Sequence, residues 1–579
     1  MPKLGGSRRW RPPIAEQICD PYTLEYGQAS RPGRLIATPA DLPKHMPLAQ
    51  HRVTGRYLLR VAAWRAVTAL TATAAIALSS GCSRSTFLQN PYHAIPRSTP
   101  AQIAQVHQPE ALHADLEAIV ALHERTNPNP YLRASKDSVR RLADRLKASV
   151  DRPMTRREFL PFVMELQAGY RSDHYGQGVP HEDLEAALAR GERLLPFRAE
   201  PRDDGLVVVA VAEGERAIEP GDTIARIGSF SAADHLARLR ALVPNETARY
   251  RDTQVRERYR TLAWAAGIAL PTQVEVIRPD GSRRTVTVEG VGDGVRKTER
   301  TAATHVSAST HVEPPREVLV DSPPFRALLL PSVPPAAAPI ALIEFPTMSG
   351  PLGSQWDKFL NQAIAAINER GAAGLIVDIR ENGGGSSQLG DALLARFHDR
   401  PYRMASRIVW RKSPESDELF RAGTKPMWRW LMFALPLFLP DYSALKQGED
   451  LTLTYEAKVA GLPRVEPRFD RPTALLIGER TFSSAMMLAD AVRTYDLMLT
   501  LGQPTGGVPN ALGDIGPFKL PNSRIVVSFS QKMFIRASGD ESDLGPVQPH
   551  VEVAPVAGRD AALERAMVEI RRMGSERKP

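Results

Sequence analysis

The chain has 579 residues, of which 43% are hydrophobic, enough apolar material for two or three domains with real cores, which excludes a disordered protein. Its formal charge of +9 suggests an anionic partner only until the charges are located. Residues 1–81 carry eleven Lys/Arg against four Asp/Glu, so the rest of the chain is close to neutral, has no clustered basic face, and is expected to bind no nucleic acid.

In chain order, four arginines precede an apolar stretch from Ala66 to Leu78 that ends in "SSGC". This is the layout of a secretory signal, too short to span a bilayer with the roughly 20 residues a membrane helix needs. The ending resembles a bacterial lipobox with Ser79 where leucine is usual, which would make Cys82 a lipidated first residue, hold the protein to a membrane and place it in the periplasm. A signal begins near its initiating methionine, so Met46 is the expected start and residues 1–45 an extension. Cys82 would then have no second cysteine to pair with, and no intrachain disulfide is expected. Residues 1–82 are thus extension plus signal, and 83–102 a polar tether.

Residues 103–190 carry apolar positions at helical spacing, as in "PEALHADLEAIVALHERT", and predict a small helical domain. From 191 to 292 the pattern changes to short β-rich runs around a "PGD" turn, a helix, and the hairpin "TQVEVIRPDGSRRTVTVEGV" with Asp280 and Gly281 in its turn. Residues 293–338, rich in Thr, Ser and Pro, predict an irregular connection. From 339 to 560 strand and helix alternate around "ALIEF", "GLIVDIR" and "TALLIG", the signature of an α/β core. An apolar insertion at 425–445, centred on "MWRWLMFALPLFLP", interrupts that core and reads as a self-packed insertion, a lid over a groove, or a membrane-resting patch. Residues 561–579 predict a terminal helix and tail.

Two stretches could carry chemistry. In "DIRENGGGSS" three glycines follow an apolar strand, and glycine there lets backbone N–H groups converge on a ligand oxygen; an ordinary strand-to-helix turn would look the same. No Gly-Lys-Ser/Thr follows, which disfavours a phosphate loop. In "ERTFSSAMM" Ser483 and Ser484 stand where a helix begins, suited either to a nucleophile at the positive helix end or to plain N-capping. There is no His/Cys/Asp/Glu cluster at metal-ligand spacing and no dinucleotide fingerprint, so neither metal nor cofactor is expected.

Taken together, "GLIVDIRENGGGSSQLGDALLARF", "ALLIGERTFSSAMMLADAV", "LGQPTGGVPN" and "GPVQPHVEV" resemble, in this order, the C-terminal processing (tail-specific) serine peptidases. The resemblance covers roughly residues 160–555. It implies a crotonase-like ββα core, a PDZ-like module at 191–292, Ser483 as nucleophile, and an oxyanion hole from the N–H groups of Gly384, with Gly383 as rival, and Ser484. The lysine of the Ser-Lys branch is absent, since Val508 stands at its place, and Met486 replaces a usual Glu. The branch related to the tricorn core protease uses an upstream histidine instead. By that resemblance His174 in "SDHYGQ" is the base, although Tyr175 stands where Thr is usual. The orienting carboxylate is Asp543, with Glu541 a nearby substitute, and His550 is structural.

The expected function is therefore a cell-envelope serine peptidase acting on a peptide or protein through an acyl-enzyme. The alternative is a catalytically inactive protein on the same scaffold that binds peptides or apolar ligands, favoured by Met486, the absent lysine and the apolar insertion.

Overall fold

The computed structural model describes residues 90–176, 178–202, 205–292, 299–301, 316–331, 338–427, 429, 436, 439–457, 465–556 and 558–576. The signal-like stretch, Cys82 and most of the apolar segment 427–440 lie outside them. The described residues up to 423 and from 445 onward belong to one compact unit, and those within 424–444 to a second. Of that second unit, Pro440–Ala444 is a short helix. No helix among the described residues is long and apolar enough to cross a membrane.

In the large unit, the first long helices are Pro109–Thr126, Lys136–Ser149 and Arg156–Gly169. The first buries Leu112, Leu116, Ile119 and Val120, the one-sided stripe that helical periodicity produces. Thr155 and Glu158 close a capping box at the start of the third. That helix ends at Gly169, and a single 3₁₀ turn, Asp173–Tyr175, follows.

The β-rich module is a sheet whose main path runs Phe197–Arg202, Gly205–Ala212, Thr223–Ile227, Thr272–Ile277 and Arg283–Val288, with every pair antiparallel. Gly281, at φ +83°, turns its last hairpin, a backbone conformation that favours glycine. Between the third and fourth of these strands lie helices Ala232–Ala241 and Ala248–Ala265. The second escaped the sequence pattern because "ARYRDTQVRERYRTLAWA" is largely charged; its buried stripe is Val255, Tyr259 and Leu262.

The core sheet has seven strands in the order Glu317–Ser322, Phe325–Leu330, Ile340–Glu344, Gly374–Asp378, Thr473–Ile477, Leu499–Gly502 and Val551–Glu552. The first two pairings are antiparallel and the rest parallel. Leu375, Ile376 and Val377 are wholly buried, which is why this strand reads as an unbroken apolar run. The expectation of an irregular connection at 293–338 is corrected in its second half. Residues 317–330 form a hairpin that extends the sheet, because "EVLVDS" and "FRALLL" carry strand-forming residues that pair across it.

Helix Ala561–Glu576 packs under the sheet through Leu563, Ala566 and Ile570. A methyl group added at Gly374 would lie 2.3 Å from Ile570 Cγ2. Arg380, just past the Gly374 strand, is gripped by Asp378 at 2.7 Å and Asp560 at 2.7 Å. A separate four-stranded antiparallel sheet orders Asp450–Thr454, Arg407–Arg411, Val526–Ile535 and Ala511–Lys519.

Candidate active site

Strands Gly374–Asp378 and Thr473–Ile477 run parallel side by side, and each leads through a turn into a helix, Ser387–Leu394 and Ser484–Thr494 respectively. Both turns therefore meet beyond the carboxyl ends of the strands, where open α/β sheets bind ligands. They are stitched together: Phe482 N–H donates to Asn382 O at 3.0 Å, Thr481 Oγ1 donates to Ile379 O at 2.9 Å, and Ser484 Oγ donates to Gly385 O at 2.5 Å. Ser484 is thus a brace as well as a residue with a backbone N–H.

The glycines are needed for approach. Gly384 has φ +97° and Gly385 φ +134°. A Cβ on Gly384 would sit 2.7 Å from Ser483 Cβ, and one on Gly385 would sit 2.1 Å from Met348 O. Asn382 is fully buried and holds this turn by donating to Phe345 O at 2.8 Å and accepting from Gly384 N–H at 2.9 Å. That last bond corrects the expected oxyanion donor. Gly384 N–H is already engaged by Asn382, whereas the N–H groups of Gly383 and Ser484 make no hydrogen bond among the described residues.

Ser483 makes no side-chain capping bond and has φ 52°, ψ −127°. A non-glycine residue in so sparsely populated a region costs on the order of 1–3 kcal/mol, a strain that clusters at functional sites. Simple helix capping does not account for it.

The 3₁₀ turn brings His174 to this serine. Its Nε2 lies 3.2 Å from Ser483 Oγ, across 309 positions of sequence. The imidazole is 8% exposed and stacks on Phe482 with centroids 4.7 Å apart. Burial pushes its pKa down to about 4, so the ring is neutral near pH 7 and able to take a proton. Its Nδ1 is buried without a hydrogen-bond partner among the described residues.

Asp543 is not that partner, and its expected role as orienter is corrected. Its carboxylate pairs with Arg536 and accepts from Gly545 N–H at 2.9 Å, on a side chain about half exposed, because a cation seven positions away captures it first. Glu541 pairs with Arg407 at 2.6 Å. His550 is tied to Thr500 N–H at 3.0 Å and to Asp496 at 3.1 Å, away from the serine. Val508 and Met486 are buried, and a Cβ on Gly507 would meet Met486 Sδ at 3.0 Å; neither position offers a base. Among the described residues no group of three or more His, Cys, Asp or Glu could hold a metal ion.

Sequence reasoning missed Glu246. Its Oε1 accepts from Asp173 N–H at 3.0 Å and from Ser172 Oγ at 3.2 Å, directly before His174. Burial, opposed by the charge of Arg133, raises its pKa to about 7; Asp173 is also pushed well above the usual carboxylate range, by burial first and then by the charge of Glu246. No local signal in "PNET" marks this residue.

Residues 339–553 match the model of Peptidase family S41. The fold is similar to mature CPAF complexed with lactacystin, at TM-score 0.54 and 16% identity over 81% of this chain and 98% of that one. It is similar also to mature CPAF, at TM-score 0.53 and 17% identity over 80% and 96%. The photosystem II D1 C-terminal processing protease aligns at TM-score 0.35 and 16% identity over 78% and 98%. No curated protein sequence matches the chain.

Proposed function

We propose that the protein is an active serine peptidase in which Ser483 attacks the peptide carbonyl and His174 is the base, a reading that the match of residues 339–553 to the model of Peptidase family S41 supports. What supports this most is the 3.2 Å contact between His174 Nε2 and Ser483 Oγ. In the tautomer protonated at Nδ1, the serine hydroxyl donates to Nε2. As Oγ attacks, its proton passes to the imidazole, and the N–H groups of Gly383 and Ser484 take the developing oxyanion, each worth about 3 kcal/mol in such a site. The imidazolium gives the proton to the leaving amine, and water, activated by the same ring, releases the acyl group. The working unit is a Ser-His dyad whose ring is held by stacking, which contributes about 1 kcal/mol, in place of a carboxylate.

The β-rich module is PDZ-like and presents peptide to a crotonase-like core; its five-strand antiparallel path with two helices supports this. The protein is exported and held at the periplasmic membrane face through a lipid on Cys82, as the arginine-flanked stretch ending in "SSGC" suggests. Cys82→Ser would then move the protein from membrane to soluble fraction.

The direct test is a serine-directed fluorophosphonate probe on purified full-length protein. Labelling is expected for wild type and should disappear in Ser483→Ala and His174→Ala. A well-folded wild type that stays unlabelled would leave the non-catalytic binding reading, which the unpartnered Nδ1 favours, in its place.

A further inference from the structure

The β-rich module reaches both halves of the site through one short stretch, residues 246–257. On the base side, Glu246 Oε1 accepts from Asp173 N–H and Ser172 Oγ, and Gln254 Nε2 donates to Asp173 Oδ1 at 3.2 Å. On the nucleophile side, Tyr250 stacks on Phe482 with centroids 4.9 Å apart and rings 15° from parallel. Thr247 Oγ1 donates to Gly506 O at 2.9 Å, and Arg256 pairs with Glu479 at 2.6 Å. Phe482 is thus stacked with both Tyr250 and His174.

We infer that Glu246 and Tyr250 are positioning residues for the Ser483–His174 pair: Glu246 fixes the turn that carries the histidine, and Tyr250 fixes the phenylalanine against which its ring rests. The inference builds on the serine-peptidase reading. A histidine in a triad has its ring fixed by a carboxylate at Nδ1; here Nδ1 has no partner among the described residues, so orientation must come from the backbone turn and the ring face. Both supports come from outside residues 339–553. The module is therefore a part of the catalytic apparatus, and a core without it would present serine and histidine out of register.

Misplacing a reacting group by about 1 Å can cost on the order of 100-fold. In full-length protein, Glu246→Ala and Tyr250→Ala should each lower the maximal rate of fluorophosphonate-rhodamine labelling by roughly 10- to 100-fold, with the probe's half-saturating concentration changed less than about 2-fold. Glu246→Gln, which keeps an acceptor for Asp173 N–H, and Tyr250→Phe, which keeps the ring, should recover most of that loss. Equal labelling of Ala variants and wild type overturns the inference, as does a loss that the conservative variants fail to recover. Should Glu246→Ala not fold, Tyr250→Ala against Tyr250→Phe reads the same split.

Hydrogen exchange of the peptide spanning Asp173 decides the inference even if wild type proves unreactive. Its amide should be protected in wild type and Glu246→Gln and exchange faster in Glu246→Ala. Unlabelled wild type with that pattern refutes the peptidase reading alone; unchanged exchange refutes the role of Glu246.

Discussion

Burial lowers the pKa of His174 from 6.5 to about 4, a preference for the neutral ring worth about 3 kcal/mol. At pH 5 a group titrating at 4 is roughly 90% neutral, whereas one at 6.5 is roughly 3% neutral, a difference of about 30-fold in available base. The fluorophosphonate labelling rate, measured from pH 3.5 to 8 with far-UV circular dichroism to confirm folding, should therefore hold through pH 5 and fall with a midpoint near 4. Stability should follow with a definite sign. The unfolded chain takes up this proton first, so His174 withdraws stability as pH drops from about 6.5 to about 4, by up to about 3 kcal/mol, and no further below. Glu246, raised to about 7, and Asp173, raised beside it, add their own limbs, so the profile is measured in the double variant Glu246→Gln with Asp173→Asn as well. A midpoint at 6 or above in that variant would mean that a carboxylate stabilises the imidazolium in the working protein, and the dyad reasoning would fail.

Asp543→Asn separates the corrected orienter from the expected one. Loss of a true orienting carboxylate costs on the order of 10⁴-fold in rate, whereas breaking a half-exposed pair with Arg536 should change labelling less than about 3-fold and stability by no more than about 1 kcal/mol. Gly385→Ala places a Cβ 2.1 Å from Met348 O at φ +134°, a strain of about 1–3 kcal/mol before the clash is relieved. It should lower the melting temperature and cut labelling at least about 100-fold; normal labelling would show that the glycine turn is unimportant.

What the sequence made legible was local. The strands "ALIEF", "GLIVDIR" and "TALLIG" announce themselves because strands buried on both faces are continuously apolar, and the glycines and Ser483 sit in turns whose residue types are dictated by backbone geometry. His174 was reached only through resemblance, since nothing in "SDHYGQ" distinguishes it from a surface histidine. Asp543 failed because a motif position does not reveal which cation will claim a carboxylate; Arg536 is close in sequence and closer in space. Glu246 and Tyr250 were invisible for the opposite reason, as their partners lie 73 and more than 200 positions away. The choice between Gly383 and Gly384 depended on where the Asn382 side chain turns, which three identical residues in a row cannot disclose.

The grip of Asp560 on Arg380, beside the glycine turn, bears on when the protein can act. The base lies at residue 174 and this clasp at 560, so roughly 390 residues must be made between them, on the order of 20 to 80 s of synthesis at about 5–20 residues per second. During that interval the helical and β-rich parts can fold, but the sheet that presents Ser483 still lacks its underlying helix. A chain assembled in this order is unable to cut while it is being made, and gains its active site only as its last hundred residues fall into place.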